Sequence, residues 1–140
     1  MRVAGLDFGA VRVGVALSDE LGLLAHPRQH LPAKNRRLLL QSLCQLAKEE
    51  QIERFVVGLP VRLDGSEGLA ARTVRTFADQ LAKESQLPII FLDERLTTRQ
   101  AQGLFRRSGV KEQASRSRID SAAATLILQT WLDSRRDGDG

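Results

Sequence analysis

The chain has 140 residues, 42% of them hydrophobic and 27% charged, and 21 Lys and Arg against 17 Asp and Glu give a formal charge of +4. That length suits one ordinary domain with its own core, and the basic balance, with a pI near 10.0, admits a polyanionic partner. The lone cysteine, Cys44, excludes a disulfide framework and a Cys-based zinc site; without a charged-then-apolar leader or an apolar window of ~18 residues, a cytoplasmic protein without membrane attachment is expected.

Val3 to Phe8 and Arg12 to Leu17 are β-rich runs separated by Gly9, Ala10 and Val11, a tight hairpin. A third extended segment, about Leu23 to Leu31, continues the meander, and Pro27 and Pro32 mark it as an edge strand or an irregular one, since proline cannot donate to a central ladder. Leu39, Leu43, Leu46 and Ala47 then recur at helical spacing, with Asn35 available as N-cap for a helix reaching Gln51. Phe55 to Leu59 is a short apolar run of the kind covered on both sheet faces. After the turn-rich loop PVRLDGSEG, the residues Leu69, Thr73, Phe77 and Leu81 define a second helix closed before Pro88.

Ile89 to Leu92 forms another buried strand and runs into Asp93, Glu94 and Arg95. Thr97 with Gln100 makes a capping-box pattern that predicts a third helix to about Ser108, followed by an aperiodic segment, Gly109 to Ser117. A last helix is expected from about Arg118 to Trp131, and the polar tail 133–140 is expected to be disordered. The order β, β, β, α, β, α, β, α predicts an α/β fold occupying 1–132: a mixed five-stranded sheet, a three-strand meander plus two parallel strands, flanked by helices.

Three acids fall where such sheets build sites. Asp7 lies at the carboxyl end of the first strand and Glu94 just past that of the last, both at one sheet edge. Asp120 opens the final helix, and its helical neighbours Ala123, Ala124, Ile127 and Trp131 are apolar, which turns it toward the core side, although Ala122 to Leu128 is apolar nearly all round and the helix dipole alone equally accounts for an acid in a first turn. A carboxylate on an apolar strand is costly unless it is paired or coordinates a cation. Asp93 competes with Glu94 for the ligand role, and Asp64 and Glu67 of the DGSEG loop are second-tier candidates, because turn formers already explain that loop.

Clustered carboxylates without an essential Cys or His select hard ions such as Mg²⁺ or Mn²⁺; two of them about 4 Å apart can clamp both oxygens of a phosphodiester in hydrolysis. His26 and His30 flank Pro27 and do not share a helix face. The glycines match neither a P-loop nor a G-x-G-x-x-G fingerprint. Between Arg95 and Arg118 stand seven basic residues, Arg95, Arg99, Arg106, Arg107, Lys111, Arg116 and Arg118, against one acid, Glu112. Their place between Glu94 and Asp120 suits phosphate contact.

The segments GLDFGAVRVGVALSD, VVGLPVRLDGSEG, LDERLTT and IDSAAATLILQTWL together resemble the YqgF (RuvX) family of the RNase H-like superfamily, over nearly the whole chain. The resemblance implies an RNase H-like fold, a nuclease acting on the 5′ end of pre-16S rRNA or, alternatively, a Holliday junction resolvase, and acidic motif residues at Asp7, Glu94 and Asp120. Val11 departs from the family pattern, where Lys often precedes the residue matching Arg12, which removes a cation for phosphate contact at position 11 but leaves the carboxylates untouched; Arg12 is counted with the substrate-binding candidates. The expected partner is nucleic acid, precursor rRNA ahead of branched DNA, bound by a monomer or homodimer. A non-catalytic RNA-binding assembly factor is the alternative from another class, to be told apart by metal-dependent cleavage.

Overall fold

The structure, a computed structural model, describes residues 1–97 and 119–139, with backbone alone for 119, 120 and 136–139. Its strands are β1 (Arg2–Phe8), β2 (Arg12–Ser18), β3 (Ala25–Pro32), β4 (Ile52–Leu59) and β5 (Ile89–Asp93), and its helices are α1 (Arg36–Glu49), α2 (Leu69–Ser85) and α3 (Ile119–Asp139). The sheet order is β3-β2-β1-β4-β5, antiparallel across the meander and parallel from β1 through β4 to β5. This is the expected mixed sheet.

Alternation along β1 assigns its side chains to two cores. Ala4 and Leu6 join Val13, Val15, Leu39, Leu43, Phe55, Val57, Phe77 and Leu81 under α1 and α2. Val3, on the other face, joins Val56, Leu92, Ala124, Ile127, Leu128 and Trp131 under α3. Both β1 and β4 are therefore covered on both faces, which is why they read as continuous apolar runs. Asn35 caps α1 by accepting from the Leu38 amide at 3.1 Å.

α3 lies antiparallel to β4. The Trp131 ring is 5.9 Å from the Arg54 guanidinium, while Ile127, one turn earlier, packs on Gly58, four residues further along the strand. The first turn of α3 thus points to the edge where β1, β4 and β5 end.

Two boundaries differ from expectation. Residues 94–97 are already helical, so Thr97 does not cap; its Oγ1 donates back to the Glu94 carbonyl at 2.7 Å inside that turn. Gln100, the rest of that predicted helix and the segment Gly109 to Ser117 lie outside the described residues. α3 also runs on through 133–139, where a disordered tail is expected. Asp133 accepts from Gln129 at 2.9 Å, the Ser134 hydroxyl donates to the Trp131 carbonyl, and the Arg135 guanidinium stacks 5.0 Å from the Trp131 ring, so polar residues extend a helix that the core has already nucleated. Among the described residues, no helix is long and apolar enough to cross a membrane.

Candidate active site

Asp7 shares the α3 face of β1 with Val3 and Gly5, two residues beyond the point where α3 comes closest. A Cβ on Gly5 would stand 2.6 Å from Leu128 Cβ and 2.9 Å from the Ala124 carbonyl oxygen, so only glycine lets the helix backbone settle there. Asp120 is one helical turn before Ala124, about 6 Å along the axis, and Asp7 is two strand residues past Gly5, about 6.6 Å. The two backbones therefore carry Asp7 and Asp120 toward the same edge. The Asp120 side chain lies outside the described set.

Glu94 arrives from the opposite direction. β4 and β5 pair with Gly58 beside Leu92 and Leu59 beside Asp93, and the chain then turns into its short helix. The Glu94 carboxylate folds back over Gly58: a Cβ there would meet Glu94 Oε1 at 2.8 Å and Ile127 Cδ1 at 2.5 Å. This glycine clears the space that Glu94 needs to reach Asp7.

The two carboxyl groups hydrogen-bond to each other. Burial raises the Asp7 carboxyl above the usual carboxylate range, partly offset by the hydrogen bond from Glu94. Glu94 is pushed up to about 7 by burial first, then by the negative charge of Asp7 and that same hydrogen bond. Glu94 is thus the protonated donor and Asp7 the acceptor at mildly acidic pH, and Glu94 gives up its proton only near neutrality.

The other candidates are engaged elsewhere. Asp93 receives Arg95 Nε at 2.9 Å and Nη2 at 2.5 Å, an ion pair that holds its carboxyl below the usual range. Arg95 Nη1 also donates to the Leu63 carbonyl at 3.3 Å, tying the loop after β4 to the start of the 94–97 helix. Within that loop Asp64 accepts from the Ser66 amide at 2.9 Å and from its hydroxyl. Glu67 takes a two-pronged bond from Arg75, 2.6 and 2.8 Å. Arg12 is exposed at the start of β2, where the Gly9 amide donates to its carbonyl at 3.1 Å and closes the hairpin. Arg99, Arg106, Arg107, Lys111 and Arg116 lie outside the described residues, as does Arg118.

Among the described residues, no group of three His, Cys, Asp or Glu side chains could hold a metal ion; Asp7 and Glu94 form a pair to which Asp120 is the sequence-predicted third. A cavity of about 520 Å³ between β3 and α1, lined by Arg28, Gln41, Gln45 and Glu49 among others, contains none of these acids. Gly5 and Gly58 carry a signal in the sequence beyond the failed phosphate-loop motifs: each is an isolated glycine inside a buried strand, a mark of close approach.

A carboxyl pair at the strand ends of a meander-plus-crossover sheet invites comparison with known proteins. Similar folds occur in the Thermus thermophilus RuvC bound to a Holliday junction substrate (18% identity, TM-score 0.66, covering 99% of this chain and 96% of that one). The fowlpox virus Holliday junction resolvase is similar at 12% identity and a TM-score of 0.56. In sequence, a relative from Anaeromyxobacter sp. strain Fw109-5, named "Putative pre-16S rRNA nuclease", is 41% identical over 135 residues, covering 96% of this chain and 98% of its own. A Syntrophus aciditrophicus relative of the same name is 42% identical over 134 residues, covering 96% and 89%. The model of the family described as "RuvX: Holliday junction resolvase" matches residues 1–134, with the motifs around Asp7, Glu94 and Asp120 inside the match, and the chain belongs to that family.

Proposed function

We propose that this chain is a divalent-metal-dependent endonuclease that trims the 5′ end of pre-16S rRNA, with Asp7, Glu94 and Asp120 as the residues that hold Mg²⁺ or Mn²⁺. The observation that carries the reading is the Asp7–Glu94 pair: two half-buried carboxyl groups kept against each other at a site edge, at an electrostatic cost that a cation would relieve. The donor set fits the ion, because hard carboxylate oxygens select Mg²⁺ or Mn²⁺ over softer metals. The space left by the missing Cβ of Gly58 lets Glu94 aim at the shared point. When bound, such ions supply charge neutralisation at the phosphodiester and a water of lowered pKa, by a one- or two-metal route.

The chain itself does the rest. β1 and β5 fix Asp7 and Glu94 from rigid strand ends, so little reorganisation is needed when substrate arrives. Glu94 keeps a proton at its carboxyl up to about pH 7, which makes site assembly pH-dependent. Arg12 and the basic residues Arg99, Arg106, Arg107, Lys111, Arg116 and Arg118 are the proposed phosphate grip, and Arg95 orders the neighbouring loop. The names of the curated relatives support precursor rRNA as substrate. The family description keeps a Holliday junction as the second reading.

The test is cleavage by the purified protein of a pre-16S 5′-leader RNA, an RNA–DNA hybrid and a four-way DNA junction, each with Mg²⁺, Mn²⁺ or EDTA. Metal-dependent cutting of the leader, lost in Asp7→Asn, is expected. Cutting of the junction alone selects the second reading, and tight RNA binding with no cleavage under any condition selects an assembly factor instead.

A further inference from the structure

The stretch from Leu21 to Lys48 contains no acid and five Lys or Arg residues, three of which, Lys34, Arg36 and Arg37, cluster where α1 begins. The fold brings that cluster to the carboxylate edge. The Ala33 amide donates to the Val11 carbonyl at 2.9 Å, pinning the approach to α1 onto the β1–β2 hairpin tip. The Arg36 guanidinium lies 5.2 Å over the ring of Phe8, the residue next to Asp7, and 5.4 Å over Phe77 of α2, while its Nη1 donates to Gln80 at 2.7 Å.

Gln80 fixes which side of α2 faces α1, and Thr76 and Arg72 sit one and two turns above it on the same row. Because Arg36 at the start of α1 meets Phe77 and Gln80 on α2, the first two turns of α2 project beyond α1 and leave a ledge above Phe8. Arg12, Lys34, Arg37 and Arg72 are all exposed around it. None of the described ion pairs involves Lys34, Arg37 or Arg72. α1 has no acid in its first turn, so its positive dipole end adds to the same field.

We infer that this ledge on the α1/α2 face is an RNA-backbone track, in which Lys34, Arg37 and Arg72 contact successive phosphates and Arg36, held beside Phe8 and Phe77, positions the strand beside Asp7. The inference rests on the proposed nuclease reading and gives the substrate a path on the face opposite α3. Uncompensated cations held at fixed spacing release counterions when they meet phosphates, so each one contributes to the salt dependence of binding.

Two double variants of equal charge test it: Lys34→Gln/Arg37→Gln at the start of α1, and Lys48→Gln/Lys83→Gln in the last turns of α1 and α2, at the opposite edge. Binding to a labelled leader RNA hairpin and to a four-way DNA junction is measured by anisotropy in EDTA across salt concentrations, so the result does not depend on cleavage. The first variant is expected to bind RNA about tenfold more weakly at fixed salt and to lose about 1.4–1.8 from the magnitude of its log–log salt slope, with KM raised and kcat kept in the cleavage assay. The opposite-edge variant should stay within about twofold. Equal losses in both variants, or an unchanged slope in the first, overturn the track, as does a loss seen with the junction but not with the RNA. A wild type that binds with the expected slope yet cleaves nothing would sink the nuclease reading and leave the track standing.

Discussion

Asp93 and Glu94 are neighbours in sequence and opposites in chemistry. Asp93 is clasped by Arg95 on an exposed flank, and its carboxyl is held down. Glu94, one residue on, turns across the sheet edge onto Gly58 and Asp7, and its carboxyl is held up at about 7. The first is an ion pair that organises a turn; the second is a pair of like groups that the fold keeps together against their own repulsion. A half-buried carboxyl held against another gains proton affinity while a carboxyl beside a guanidinium loses it, and that contrast separates the two neighbours better than exposure or residue type.

The largest expected effect is on catalysis. Asp7→Asn and Glu94→Gln should each lower kcat on the leader RNA by about 10³-fold or more, whereas Asp93→Asn should cost only a few-fold; equal losses from all three would erase the distinction. Next, Gly58→Ala should destabilise the fold by about 1–3 kcal/mol, because the added methyl overlaps Ile127 Cδ1 and Glu94 Oε1. It should also reduce activity more than its stability loss explains, as a thermal melt beside a cleavage assay would show.

A third prediction concerns pH. Glu94 binds its proton more tightly folded, at about 7, than its ordinary value of 4.5, so the folded state holds more protons than the unfolded one between those values. Stability in EDTA should therefore fall as pH rises from about 4.5 to about 7, then level off. Glu94→Gln should flatten that decline and raise the melting temperature at pH 7.5; a wild-type profile rising through this window would contradict the assignment. Smallest of all, Asp93→Asn should cost under about 1 kcal/mol, read from the same melts, since an exposed ion pair is screened by water.

Much of this was legible from residue pattern alone. The β-rich runs of the meander, the spacing of Leu39, Leu43 and Leu46, and the prolines of β3 each encode a local preference that the packing then respects. Asp7 and Glu94 stand out as candidates because an acid at, or just past, the end of an apolar strand is costly without a purpose. What local pattern could not reveal is set by tertiary approach. Thr97 looks like a cap until β5 delivers Glu94 straight into a helical turn, and 133–135 look like tail until Trp131 and Gln129 give them partners. The cationic ledge escapes a linear scan because Arg72 joins Lys34 and Arg37 only through the stacking of α1 on α2.

α3 has one more consequence. Besides covering Gly5, it closes the outer strand: Gln129 accepts from the Ala25 amide at 2.8 Å and donates to the Leu23 carbonyl, while Ser121 donates to the Arg28 carbonyl. Ala25 and Gln129 are 104 residues apart, a stretch that takes on the order of 5–20 s to synthesise. Throughout that interval the meander exists without its clasp, with the groove over Gly5 open and the margin of β3 bare to other chains. Pro27 and Pro32, which cannot donate to an added strand, guard the nascent chain during that wait.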